Sequence, residues 1–418
     1  MTRGQAQREC DRRNRPREVA SHNIVNIDAA AFWRGCGLNR NFLINGGSEG
    51  QRANALVEML VDFRSRSADA VIVLTGSDLT ERAIVQAARE KRLPKTLVSS
   101  STYRNYHALY RMELENMSEL LMFVARQSGY GELDKLENYI KAFIAVSNRY
   151  YPPSLASLIT LDKKYPQNSQ ILQLAKLAGV SREHVRAIES DPTATGKLRN
   201  ILNRLLAAYK YISAPNCNSK FNLLTGTNAG AVMCIKVNSD NPDVLDMALA
   251  MELKQLMAAN RRFLLVLNDM SLRNAEGLFR QVVEAKSASS NTCVGICVRN
   301  AGAWAATIHG VQNAQDSMLK NTQNFLMFND NSDADSDLDD ILKYLGQFPK
   351  YEVTMGGGHG AELIPILHHA EWTVACVGMR NRVAPEDLRG YGVLVKGHDS
   401  RRIHLHRSLQ IRSAQTLE

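Results

Sequence analysis

Nowhere in the 418 residues do apolar side chains continue for the ~20 positions that a membrane-spanning helix requires, so no transmembrane segment is expected. The chain also lacks the apolar core of a secretory leader at its start. Instead Arg3, Arg8, Arg12, Arg13, Arg15 and Arg17 crowd a polar stretch. Cysteine is scarce and unpaired in number: Cys10, Cys36, Cys217, Cys234, Cys293, Cys297 and Cys376 form an odd, scattered set. That excludes a regular disulfide framework and predicts reduced thiols in a cytoplasmic protein. Cys293 and Cys297 share one face of an expected strand, yet no second pair completes a zinc site, and no metal is expected there. Disorder is excluded as well, because 44% hydrophobic against 22% charged residues is the balance of a folded chain. A surplus of basic over acidic residues, 51 to 42, leaves a net +9 and favours an acidic partner, nucleic acid first among them.

Patterning divides the chain. Residues 1–22 read as a flexible basic arm. Residues 23–105 and 214–418 alternate buried strands with helices, the mark of an α/β fold with a mostly parallel sheet. Residues 106–213 show helical periodicity throughout and read as an inserted all-helical domain. Strands are expected near Asn41, at Ala70–Leu74, Ala231–Lys236, Arg262–Leu267, Thr292–Val298, Asn324–Phe328 and Tyr391–Val395, with a helix over Asn274–Ser287.

The segment Asn41-Phe-Leu-Ile-Asn-Gly-Gly-Ser-Glu-Gly-Gln-Arg-Ala-Asn has the strand, glycine turn and helix of a phosphate-cradling loop. Such a loop uses bare N–H groups, a Lys for the β/γ-phosphates and a hydroxyl for Mg2+. Here the candidates are Gly46, Gly47, Ser48, Gly50, Gln51 and Arg52. Gln51 stands where the Lys belongs, and Arg52, which has no lone pair for a metal, stands where Ser or Thr belongs. The segment reads equally as a weak phosphate site and as a glycine-rich turn without a ligand. A second half of the site is expected at the end of Arg262-Phe-Leu-Leu-Val-Leu-Asn-Asp, where Asn268-Asp269 replaces the Asp-Glu of an active enzyme. Asp269 is the candidate that orients a water or binds a cation, and Arg299, one strand later, the candidate γ-phosphate sensor.

In the order of these parts, and in Arg380-Asn-Arg-Val-Ala-Pro-Glu-Asp-Leu388 ahead of a terminal strand pair, the chain resembles the FtsK-related coupling ATPases of conjugation and type IV secretion, TraG/TraD-like proteins. The resemblance spans roughly residues 23 to 407 and lies in layout, because no motif is intact. It implies a P-loop NTPase-like sheet flanked by helices. It also implies DNA or secreted protein as cargo, secretion-apparatus subunits as partners, a homo-oligomer, and a cytoplasmic place peripheral to the inner membrane. Family members carry an N-terminal membrane anchor, which this sequence does not show.

A helix-turn-helix-like segment at 171–189 lies in the helical region. Ala175, Gly179, Val185 and Ile188 fill its packing positions, and Ser181 would cap the second helix. Arg182, His184 and Arg186 are the candidate DNA contacts, although paired helices with a glycine turn also arise from packing alone. The acidic run at Asp330–Asp340, the glycine cluster Gly356–Gly360 and the His404/His406 pair read as ordinary surface and loop features. The expected function is a coupling-ATPase-like subunit, a pseudo-ATPase, with either no cofactor or weakly held ATP and Mg2+. Two alternatives stand beside it: an active ATP-hydrolysing translocation motor, and a helix-turn-helix DNA-binding regulator.

Overall fold

The computed structural model describes residues 1–22, 41–99, 106–212, 221–270, 292–308, 313–322, 324–328, 341–343, 347–356, 371–381 and 392–396. Along the chain, α1 (Arg3–His22) is followed by β1 (Phe42–Asn45), α2 (Glu49–Arg66), β2 (Ala70–Thr75), α3 (Asp78–Arg89) and β3 (Thr96–Ser99). A run of helices comes next: α4 (Leu114–Gln127), α5 (Leu133–Tyr150), α6 (Leu155–Lys164), α7 (Asn168–Leu177), α8 (Arg182–Ser190) and α9 (Ala194–Ala208). Alternation resumes with α10 (Leu223–Asn228), β4 (Val232–Lys236), α11 (Pro242–Ala258), β5 (Phe263–Asn268), β6 (Thr292–Val298), α12 (Ala301–Ala306), α13 (Ala314–Asn321) and β7 (Asn324–Phe328). The last elements are β8 (Gln347–Gly356), β9 (Glu371–Asn381) and β10 (Gly392–Lys396).

The main sheet has the order β10-β7-β1-β6-β5-β2-β4-β3. Neighbours from β7 to β3 are parallel, and β10 closes the β7 edge antiparallel. Both faces are covered, so the strands are continuous apolar runs and successive side chains go to opposite layers. Val71, Val73, Leu264 and Val266 pack with Leu56 and Leu60 of α2 and Ile84 of α3. Ile72, Leu74, Leu265 and Leu267 face the other way, into a cluster that continues through α11 and α4 to α9. This is an α/β, P-loop NTPase-like sheet flanked by helices, with the helical insertion between β3 and β4.

Helix α11 explains how the insertion sits on the sheet. Leu245, Ala248, Leu249, Ala250, Met251, Leu253 and Leu256 are all buried, so apolar residues circle the helix instead of forming one stripe. A helix apolar all round is one covered on all sides. The chain enters and leaves the helical region side by side: His107 N–H donates to the Phe221 carbonyl at 2.7 Å, next to a Tyr106–Phe221 bridge. Between these two crossings lies Glu252 of α11, 8% exposed. Its carboxylate accepts from the Tyr106 hydroxyl, from the Tyr209 hydroxyl at 2.9 Å and from Leu109 N–H at 3.1 Å.

Residues 1–22 depart from expectation. In place of a flexible arm they form α1, which packs on the antiparallel β8–β9 pair, a hairpin that composition did not reveal. Asn14 both donates to the Tyr351 carbonyl and accepts from its N–H, next to the irregularity at Lys350/Tyr351, and the Cys10 thiol shares that carbonyl. Arg13 lies over the Tyr351 ring and Arg3 over Trp372, so part of the arginine crowding meets aromatic faces. No described helix is long and apolar enough to cross a membrane.

The expected helix at 274–287, the acidic run at 330–340, residues 357–360 of the glycine cluster and the His404/His406 pair lie outside the described residues.

Candidate functional site

Loops leaving β1, β5 and β6 meet at the carboxyl edge of the parallel strands, where open α/β sheets place their ligands. The loop after β1 turns through Gly46 (φ +83°) and Gly47 (φ +73°). A side chain at either would be strained by that backbone, and it would also strike Phe328 at the end of β7, whose carbonyl oxygen lies 2.2 Å from a Cβ built on Gly46. The turn therefore has to be glycine. Ser48 then caps α2 in a capping box: its Oγ accepts from Gln51 N–H at 3.3 Å, while Gln51 Oε1 accepts from Ser48 N–H at 2.7 Å. Gly50 lies in the first turn. Gln51 is thus spent on capping its own helix.

Arg52 does something else. It is 4% exposed and turns back into the loop. Nη1 donates to the Gly47 carbonyl at 2.5 Å and more weakly to that of Gly46 at 3.4 Å. Nη2 donates to both carboxylate oxygens of Asp269, at 3.2 and 3.0 Å. Nε finds no acceptor among the described residues. Asp269 sits at φ +48° just past β5, its N–H on the Cys297 carbonyl at 2.9 Å. Burial pushes its carboxyl up from the usual range, Glu49 adds to the rise, and Arg52 opposes it.

The neighbouring polar groups are also committed within the chain. Asn268, fully buried, accepts from Thr75 Oγ1 at 2.7 Å. Asn45 accepts from Ala301 N–H at 2.8 Å, and Ser77 donates to Glu49. Arg299 contributes its backbone, the carbonyl taking Gly46 N–H at 3.1 Å, and its side chain is exposed.

The structure therefore brings Gly46, Gly47, Ser48, Gly50, Gln51, Arg52, Asp269 and the Arg299 backbone into one neighbourhood. Arg182, His184 and Arg186 lie apart from it on α8, which packs on α5 and α7. Gly179 (φ +63°) makes the turn between α7 and α8, Ser181 Oγ caps α8 by accepting from His184 N–H, and Ile188 is buried. Arg182 and Arg186 are exposed and His184 is half-buried. The sequence did not reveal that Arg52 and Asp269 meet, or that Phe328 closes over the glycines. The complementary charges at the two degenerate positions were the available clue to the first.

A Mg2+-bound nucleotide does not fit these residues. Magnesium needs oxygen ligands in near-octahedral order. The residue at the hydroxyl position offers five N–H donors and a positive charge, the amide of Asn268 is turned to Thr75, and both Asp269 oxygens are taken.

No protein-family model matches the chain, and no curated protein is significantly similar to it. Its structure is similar to that of TrwB, a bacterial conjugative coupling protein. The unbound TrwB fragment matches at 12% identity over 93% of each chain with a TM-score of 0.50. Its trigonal form with sulphate matches at 12% identity over 93% of this chain and 94% of that one, TM-score 0.52. TrwB in complex with ADP and Mg2+ gives the same identity, coverage and score. With the glycine loop, the β5 carboxylate and the helices between β3 and β4 arranged as above, the chain has the fold of the conjugative coupling protein TrwB.

Proposed function

We propose that this protein is a pseudo-ATPase subunit of a conjugation or type IV secretion apparatus, which recruits DNA or protein cargo without hydrolysing ATP. One observation carries the reading: Arg52 fills the glycine loop and holds Asp269, so neither a hydroxyl nor a free carboxylate is left to manage metal and water. TrwB, which shares the fold, is solved with ADP and Mg2+; the residues that would hold them in this chain have been replaced and re-employed. The subunit works on the cytoplasmic side of the inner membrane, held there by apparatus partners or by its own copies.

The test is a calorimetric and thermal-shift titration of the full chain with Mg2+–ATP, alongside phosphate release. A Tm that does not change with Mg2+–ATP, no binding heat and no release are expected, since a ligand that binds only the folded state must raise its stability. Turnover that Asp269→Ala abolishes would make the protein a motor instead.

Exposed Arg182 and Arg186 on a capped helix beyond a glycine turn favour DNA as the cargo. Affinity for duplex or single-stranded DNA should fall steeply with salt and drop when both arginines become Ala, because each phosphate contact releases counterions. Unchanged affinity in the double variant removes α8 from the interface. It leaves the pairing of α7 and α8 as packing.

A further inference from the structure

We infer that Arg52 is a built-in cation: its guanidinium joins the glycine loop to the end of β5 where a metal-dependent NTPase would place Mg2+, so that this edge of the sheet holds together by an intrachain salt bridge and needs no divalent ion. In metal-dependent P-loop enzymes the ion is held by the loop hydroxyl and by the acid at the end of the neighbouring strand. Arg52 stands at that hydroxyl position and reaches Asp269, 217 residues away in sequence, with one nitrogen on both carboxylate oxygens.

The polarity of the loop agrees. A phosphate cradle presents N–H groups, whereas here Gly46 and Gly47 present carbonyl oxygens to Arg52. The N–H groups of Gly46, Ser48, Gln51 and Arg52 are bonded to Val298 and Arg299 carbonyls, Gln51 Oε1, Ser48 Oγ and the Ser48 carbonyl respectively. Two carbonyls and a carboxylate around one buried positive group make a cation site, and the cation is covalently part of α2. Arginine suits the place better than lysine, because its planar fork serves carbonyl and carboxylate at once and stays charged when buried.

This inference rests on reading the loop as a degenerate nucleotide site. Its experiment contains no nucleotide, so its failure is separable from that of the ATP titration. Thermal unfolding of the full chain is followed in EDTA, in millimolar Mg2+ and in millimolar Mn2+, for the wild type and for Arg52→Thr and Arg52→Met. The wild-type Tm should be the same in all three buffers. Both variants should lose several degrees in EDTA, having left Asp269 without its counter-charge. Divalent ions should restore a good part of that loss in Arg52→Thr, which returns a hydroxyl beside the carboxylate, and none in Arg52→Met.

A wild-type Tm that rises with Mg2+ overturns the inference, as does an Arg52→Thr variant indifferent to both ions or an Arg52→Met variant as stable as wild type. If the Thr and Met variants do not fold, Arg52→Lys decides. An ammonium still neutralises Asp269, so that variant must fold and ignore EDTA. Failure to fold, or stabilisation by Mg2+, rejects the built-in cation.

Discussion

At the end of β5, Asp269 meets a guanidinium; in the middle of α11, Glu252 meets only neutral donors. Both carboxyls are drawn out of water, and the two solutions have different consequences. Beside Asp269 the compensating charge is supplied by the chain, at the edge of the sheet, where a ligand would otherwise supply it. Glu252 has two tyrosine hydroxyls and one N–H, and these do not offset the cost of burying an anion. Its pKa rises from 4.5 to about 7, burial outweighing the hydrogen bonds that pull it down. The phenols of Tyr106 and Tyr209 are pushed well up in turn by burial and by that carboxylate. At Asp269 a paired cation works against burial, which still raises the carboxyl; Glu252 has neutral donors alone and holds its proton up to about 7.

The largest expected effect breaks the second arrangement. Glu252→Ala leaves both hydroxyls and the Leu109 N–H without their acceptor and opens a hole between α11 and the helical region. Denaturant unfolding should show a loss of about 4 kcal/mol, and amide exchange should quicken at residues 106–109 first. A loss below about 1 kcal/mol would mean that water replaces the carboxylate and that the two sites differ less than their geometry implies.

Next comes the pH dependence. Because the folded state holds the Glu252 proton more tightly than the unfolded chain does, the stability it contributes is fully present below about 4.5 and lost as pH rises through about 7. Glu252→Gln stays neutral throughout, so the difference in Tm, variant minus wild type, should grow across that window and then level off. The free-energy change involved is at most about 3 kcal/mol. A difference that shrinks with rising pH would show Glu252 to be ionised and satisfied in the folded protein.

Asp269→Ala should cost less, about 2 kcal/mol, since it strands a buried guanidinium but Asp269 itself keeps some contact with solvent. Combined with Arg52→Met it should cost less than the sum of the two, the signature of a coupled pair. The smallest effect belongs to Arg182→Ala with Arg186→Ala: both side chains are exposed, so stability should move by no more than about 0.5 kcal/mol. Any loss of DNA affinity in that variant is then a loss of contact.

The central strands were legible because a strand buried on both faces is a continuous apolar run: Ala70–Thr75, Val232–Lys236, Phe263–Asn268 and Thr292–Val298 all lie within a residue or so of their expected ends. The short edge strand Thr96–Ser99 and the β8–β9 hairpin were not. Four residues carry little periodicity, and the hairpin mixes Pro349, Lys350, Glu352 and exposed Met355, Val377 and Met379. The basic N-terminal stretch reads as an arm in the sequence because its partner, Tyr351, is 337 residues from Asn14. The loss of the Lys and hydroxyl could be read from Gln51 and Arg52 directly. What replaced them could not, because a salt bridge across 217 residues is a property of the folded sheet.

Helix α11 has a consequence for how this protein could be cut or moved. Removing residues 106–212 would not free a compact sheet domain; it would unroof Leu249, Leu253, Leu256 and Glu252 and invite aggregation. The same helix is joined through residues 259–262 to β5, and Asp269 follows the last residue of that strand. A displacement of the helical region would thus be passed along α11 and the four residues after it to the strand that ends at the salt bridge closing the glycine loop.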